Sequence, residues 1–324
     1  MLLAVALPLA RPGRVGRLID AARSELEIRG AYACLARAGS LSSFGAAKSS
    51  LPLSAAPLSS DDLCEATQLP CDAFIPSPSR RASVMSADLP AGLAVAALQL
   101  VLAREALEDQ LPLRSLRSLE WWQLPTLFLA IAACATLVVA VADSFALGGN
   151  ILATAQASLP HRRRVIIRHE GGHFLLSVLL GCPVRRCELN PLAGLKDPSF
   201  EGVAGTVFDA PALEEIQRGE TPSDDAVNIA SVILMGGIAA EAMAYGCADG
   251  GAADERALKN LLVAARQAGP EEVRAHARWA VANAVLLLRE YSHEHDALCD
   301  KLAEGASVGE CVEEIELAAV SRVN

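Results

Sequence analysis

The run His169-Glu170-Gly171-Gly172-His173 sets two imidazoles four residues apart. On a helix that spacing puts both rings on one face, one turn along. Two ring nitrogens so placed can grip one Zn²⁺ at roughly 2.0–2.1 Å. Glu170 is offset by one residue, so it lies beside the metal, where a general base for an attacking water belongs. The motif falls inside Val165–Gly181, VIIRHEGGHFLLSVLLG, whose apolar flanks predict a buried helix. Two unrelated histidines on a surface helix would lack those flanks.

A catalytic zinc usually has three protein ligands and one open position. His161 sits in a basic run, and His276, His293 and His295 fall in the C-terminal helical region. Asp254, at the end of Asp249-Gly250-Gly251-Ala252-Ala253-Asp254, is the better candidate. A glycine-rich turn opening a helix can present a carboxylate at a fixed angle, although an aspartate there also reads as a helix cap. Glu241 and Asp249 are rival third ligands, and Glu241 could instead orient a ligating histidine. The cluster His293-Glu294-His295-Asp296 looks metal-like. Histidines two apart do not share a helix face, so a solvated turn is expected there.

H-E-G-G-H, then Gly236-Gly237-Ile238-Ala239-Ala240-Glu241, then Gly250-Gly251-Ala252-Ala253-Asp254 resembles the peptidase domain of FtsH-like zinc proteases. The resemblance runs from about Val165 to Glu316. It implies that His169, His173 and Asp254 bind Zn²⁺ and that Glu170 is the catalytic base. Two departures stand out. Gly171 replaces the family's alanine, and a second adjacent glycine costs a helix about 1 kcal/mol. The family's ATPase module is also missing, because no G-x-x-x-x-G-K-[ST] run occurs. The chain therefore resembles motor-less plastid relatives of the family.

The rest of the chain must position and place that site. Its 324 residues carry a net charge of −10, which argues against a nucleic-acid partner. Nine scattered cysteines without a C-x-x-C pair read as reduced thiols. Residues 1–84 are arginine-punctuated and serine-rich, with no acidic residue from Ile28 to Ser60, as in a disordered organelle transit peptide cut near Ser83–Ala87. Residues 85–118 are expected to form a helical segment and 119–145 one transmembrane helix, from the uncharged run Leu124–Ala142 behind Trp121-Trp122. Residues 161–324 are expected to be the zinc-peptidase domain. There, helices are expected at Asp224–Tyr245, Ala257–Ala268 and Glu271–Tyr291, and strands at Val184–Leu189 and Gly202–Phe208.

The expected fold class is mainly α: a helical zinc-peptidase domain with a small β-hairpin, preceded by one transmembrane helix. The expected function is a zinc-dependent, ATP-independent metalloendopeptidase acting on unfolded or membrane-associated polypeptides at a chloroplast membrane, with a mitochondrial membrane as the alternative. Its expected partners are polypeptide substrates, the membrane and an FtsH-type ATPase protease, and a homo-oligomer is compatible with it. The competing reading is a non-proteolytic membrane subunit of FtsH-type complexes.

Overall fold

The computed structural model describes residues 13–54, 57–76, 160–189 and 204–323. These segments belong to one folded unit drawn from both flanks of residues 77–156. The helical segment expected at 85–118 and the transmembrane helix expected at 119–145 lie outside the described residues.

The N-terminal flank supplies α1 (Arg14–Asp20), α2 (Glu25–Arg37), α3 (Ser60–Thr67) and a 3-10 turn at Cys71–Phe74. Serines start two of these helices. Ser24 accepts the Glu27 N–H, and Ser59 forms a reciprocal capping box with Asp62. The second flank opens with α4 (Pro160–Leu179), which carries the histidine motif, then β1 (Val184–Glu188) and β2 (Gly205–Phe208). It continues through α5 (Pro211–Gln217), α6 (Asp224–Leu234), α7 (Gly236–Tyr245), α8 (Ala252–Arg266), α9 (Pro270–Glu290), α10 (Ser292–Glu304) and α11 (Val308–Val323). The fold is thus mainly helical with one small antiparallel sheet, in which Cys187 pairs with Thr206.

Phe174, Leu175, Leu176 and Leu179 of α4 are fully buried, and α4 packs against α7, α10 and the hairpin. The helix expected over Asp224–Tyr245 is two helices, α6 and α7, parted at Met235. Together they make the one described stretch long and apolar enough to cross a membrane, but 89% of that window is buried inside the fold. They are core helices. Just after the break, Gly236 meets Gly172 of α4 so closely that a Cβ on Gly172 would lie 2.4 Å from the Gly236 carbonyl oxygen.

The N-terminal flank departs from its expected character as a disordered leader. Ile19, Tyr32, Leu35, Leu63 and Ala73 are buried in the same core as α4 and α7. The Tyr32 hydroxyl donates to the Val184 carbonyl at 3.3 Å. Arg29 pairs with Asp209 at 2.8 Å and with Glu214, while Asp209 also pairs with Arg185 at 2.9 Å. The N–H groups of Gly45 and Ala47 donate to the carbonyls of Val178 and Leu179 at 2.9 Å each. Those carbonyls, at the end of α4, lack partners within the helix. The composition reads as a leader because Tyr32 and Arg29 find partners at Val184 and Asp209, more than a hundred positions away. A cut near Ser83–Ala87 would remove α1 to α3 from the core.

Two smaller expectations are also corrected. Glu294 and His295 are not in a solvated turn but buried in α10, at 0% and 5% exposure. The cysteines are not uniformly reduced, since Cys64 and Cys71 are joined as a disulfide where α3 and the 3-10 turn bring them together.

His295 and its neighbour one turn on explain the unusual glycine of the motif. A Cβ on Gly171 would stand 2.9 Å from the Cys299 sulfur and 3.3 Å from His295 Nε2. The space an alanine would fill is taken by α10. Gly171→Ala gains about 1 kcal/mol of helix propensity but overpacks this contact at a cost of about 1–3 kcal/mol. The variant should therefore be less stable in urea, and Cys299→Ala in the same chain should restore it, with a coupling of about 1 kcal/mol or more. Additive effects of the two changes would show that α10 simply moves aside.

The docking of the N-terminal flank has a direct test as well. Each fully buried large apolar side chain contributes about 1.5–3 kcal/mol. Losing Ile19, Tyr32, Leu35 and Phe74 together removes more than about 5 kcal/mol, the low end of a domain's whole stability. A chain beginning at residue 77 should show no cooperative thermal transition. A sharp transition near that of the full chain would mean that the docked segment is dispensable.

Candidate metal centre

The centre is built on α4 and closed by α7 and α8. His169 and His173 lie one turn apart, with their Nε2 atoms 3.1 Å from each other. Asp254 sits in the first turn of α8 after the N-cap Gly251, whose φ of +102° suits glycine. Asp254 does not act as the cap. Its carboxylate reaches His169 Nε2 at 3.1 Å and His173 Nε2 at 3.6 Å. These three residues form a group whose ligand atoms lie within 4.8 Å of one another and could hold a metal ion.

The opposite ring nitrogens settle which atoms face the centre. His173 Nδ1 lies 2.8 Å from the Ile233 carbonyl, which can only accept, so Nδ1 carries the proton. His169 Nδ1 donates to Glu241 at 2.8 Å. Both Nε2 lone pairs are left for the space they share with Asp254. Glu241, a rival ligand by sequence, points at the wrong nitrogen for that role. It also accepts the Asp249 N–H at 2.6 Å and the Gly250 N–H at 3.1 Å. Asp249, the other rival, contributes that N–H and leaves its carboxylate toward Arg162, 3.7 Å away.

Glycines let these parts approach. A Cβ on Gly237 would fall 2.4 Å from the His169 ring. The Ala248 N–H donates to the Ala73 carbonyl at 2.7 Å, so the docked N-terminal flank braces the loop that leads to Asp254.

The electrostatics favour a cation. Burial works against charge on His169, but hydrogen bonds to Asp254 and Glu241 outweigh it and raise the imidazole well above its usual range. His173 is raised as well, with burial opposed chiefly by Asp254. Burial alone would raise Asp254, yet His173 and His169 hold it well below the ordinary carboxylate range. Glu241 is lowered too, because His169 and the Asp249 and Gly250 amides offset its burial. The raised imidazoles meet the Asp254 carboxylate with protons at Nε2, and a bound cation would take the place of those protons.

Glu170 lies on the same helix, 7% exposed, with one carboxylate oxygen 2.8 Å from the Thr206 hydroxyl of β2. The sequence reading gave Thr206 no role, since nothing in a Gly-Thr-Val-Phe strand marks the threonine. It also missed the Ile233 carbonyl, which has no side-chain signature. His169, His173 and the carboxylate of Asp254 are brought together, Glu170 lies on the same helix with its carboxylate against Thr206, and His161, His276 and His293 are not part of the group.

No known protein family, curated protein or solved structure matches this chain.

The geometry separates the roles of the two carboxylates. Asp254→Ala should strip the centre of its third ligand and lower metal affinity further than any change at Glu241. Glu241→Gln, which keeps the shape but weakens the hold on His169, should cost about 10–100-fold in metal affinity. Chelator competition measures both. Equal retention of metal by Asp254→Ala and the unaltered protein would remove Asp254 from the ligand set.

Proposed function

We propose that the chain is a zinc-dependent, ATP-independent metalloendopeptidase acting on unfolded or membrane-associated polypeptides. The observation that carries this reading is the convergence of His169 Nε2, His173 Nε2 and the Asp254 carboxylate beside Glu170. Atoms bound about 2.1 Å from a tetrahedral zinc lie about 3.4 Å apart. The two Nε2 atoms lie 3.1 Å apart, and the Asp254 carboxylate approaches them through its two separate oxygens, Oδ2 at 3.1 Å from His169 and Oδ1 at 3.6 Å from His173, close to that spacing. A two-histidine, one-carboxylate donor set also leaves a tetrahedral position open, as catalytic rather than structural zinc requires. None of the described cysteines belongs to the group, which argues against a structural zinc.

His169, His173 and Asp254 would hold the zinc, which would supply Lewis acidity toward a water and a scissile carbonyl. Glu170 then takes the proton from the attacking water and returns it to the leaving amine. His169 and His173 are kept in the ligating tautomer by Glu241 and the Ile233 carbonyl. The Asp254 side chain keeps 19% of its surface exposed, which gives water access to the centre. A two-stranded sheet beside α4 has outer edges with which an extended peptide can pair without its sequence being read.

No phosphate-binding loop occurs in the chain. Unfolding a domain costs about 5–15 kcal/mol, so substrates arrive unfolded or an FtsH-type ATPase partner supplies the force. Residence at a chloroplast or mitochondrial membrane belongs to the same proposal, supported by the arginine- and serine-rich composition of residues 1–84 and by the uncharged run Leu124–Ala142.

The purified zinc-loaded protein should cleave an unstructured casein at equal rates with and without ATP, and a zinc chelator should stop it. Glu170→Gln should keep its zinc and lose about 10²–10⁴-fold in kcat. An unaltered rate in Glu170→Gln would remove Glu170 from the chemistry. A zinc-loaded protein inert even beside an FtsH-type ATPase would favour the non-proteolytic subunit, the reading that the missing motor supports.

A further inference from the structure

The hairpin does more than flank α4. Cys187 of β1 and Thr206 of β2 are directly paired across the sheet, and both side chains face the motif helix. The Thr206 Oγ1 atom lies 2.8 Å from Glu170 Oε2, 3.3 Å from the Glu170 carbonyl and 3.5 Å from Cys187 Sγ. A hydroxyl has one proton to give. Of these acceptors the carboxylate is the strongest and closest, so that proton goes to Glu170. The thiol then donates to the threonine oxygen rather than accepting from it.

We propose that Cys187 and Thr206 form a cross-strand relay, thiol to hydroxyl to carboxylate, that positions Glu170 as the base. This inference rests on the peptidase reading of the centre. Burial, and after it the neighbouring Glu170, push the Cys187 thiol well above its usual range, so its proton stays available to donate. The relay holds Oε2 and leaves Oε1 as the oxygen that meets the substrate water. A carboxylate on a helix side chain has rotatable bonds, and a misdirected base loses its advantage of orientation. Thr206 and Cys187 are positioning residues, since they act only through Glu170. The arrangement also ties the base to the hairpin, so that movement of the strands would change the direction of Glu170.

Thr206→Val keeps the β-branched shape and removes only the hydroxyl. It should lower kcat on unfolded casein about tenfold, short of the 10²–10⁴-fold for losing the base itself. KM and zinc affinity by chelator competition should be unchanged. Thr206→Ser should restore most of kcat, and Cys187→Ala should fall between. In a crystal structure of Thr206→Val, Glu170 should lose its single carboxylate orientation. This last readout does not need activity, so it tests the relay even if the unaltered protein cuts nothing, an outcome that would count against the peptidase reading alone. The relay is overturned if Thr206→Val keeps the full kcat, if Thr206→Ser fails as badly as valine, if zinc affinity drops with the hydroxyl, or if Glu170 holds its place without it.

Discussion

Helices α4 and α7 meet with backbone against backbone, and the centre depends on that contact. Gly172 faces Gly236, and His169 lies over Gly237, at distances that admit no Cβ. The approach brings Glu241, one turn further along α7, to His169 Nδ1. Glu241 in turn gathers the Asp249 and Gly250 amides and so sets the course of the loop that delivers Asp254. A single methyl group at Gly172 or Gly237 would push apart every later link. The break at Met235 is part of the same geometry. It ends α6 with the Ile233 carbonyl beside His173 and starts α7 with the two glycines.

Around this contact the fold concentrates negative charge in a poorly solvated place. Glu170, Glu241 and Asp254 surround two imidazoles whose remaining lone pairs point at one another. Carboxylates so buried are expensive unless paired. Here the Asp249 and Gly250 amides and the His169 N–H pair with Glu241, the hairpin hydroxyl pairs with Glu170, and Asp254 faces the two histidines. These neutral donors solvate the carboxylates without cancelling their charge, so the centre favours positive charge where His169, His173 and Asp254 converge.

Much of this could be read from residue order, because it is local. The spacing of His169 and His173 needs only a helix, and the apolar run Phe174–Leu180 predicts one that is buried. The two strands and the helices α8 and α9 follow from short-range pattern, with boundaries shifted by a few residues, whereas the helix expected over Asp224–Tyr245 is broken at Met235 and α5 was not expected. Asp254 was ambiguous between a cap and a ligand until the structure showed Gly251 at the cap and the carboxylate on the histidines. Glu241 was ambiguous in the same way until its nitrogen was known. Long-range facts left no such trace. Thr206 acquires its role from a residue thirty-six positions earlier. Gly171 looks like a weakness in the helix until Cys299 and His295 of α10 are seen in the space beside it. Likewise, the arginines and serines of residues 13–76 suggested a leader, because Asp209, Glu214 and Glu316, which they bind, lie far along the chain.

The docking of that N-terminal flank constrains sidedness. Pro76 and Pro160 bound a stretch of chain that leaves one folded body and returns to it. Gly45 and Ala47 finish the last turn of α4, and Ser42 and Ser43 hold Glu316 of α11. Such a body cannot be divided by a bilayer. A single-pass anchor between its two flanks would strand α1 to α3 on one face and α4 to α11 on the other. The flank carrying α1 to α3 and the flank carrying α4 to α11 therefore lie on one side of any membrane. Both termini of the folded body then share one compartment with the metal centre.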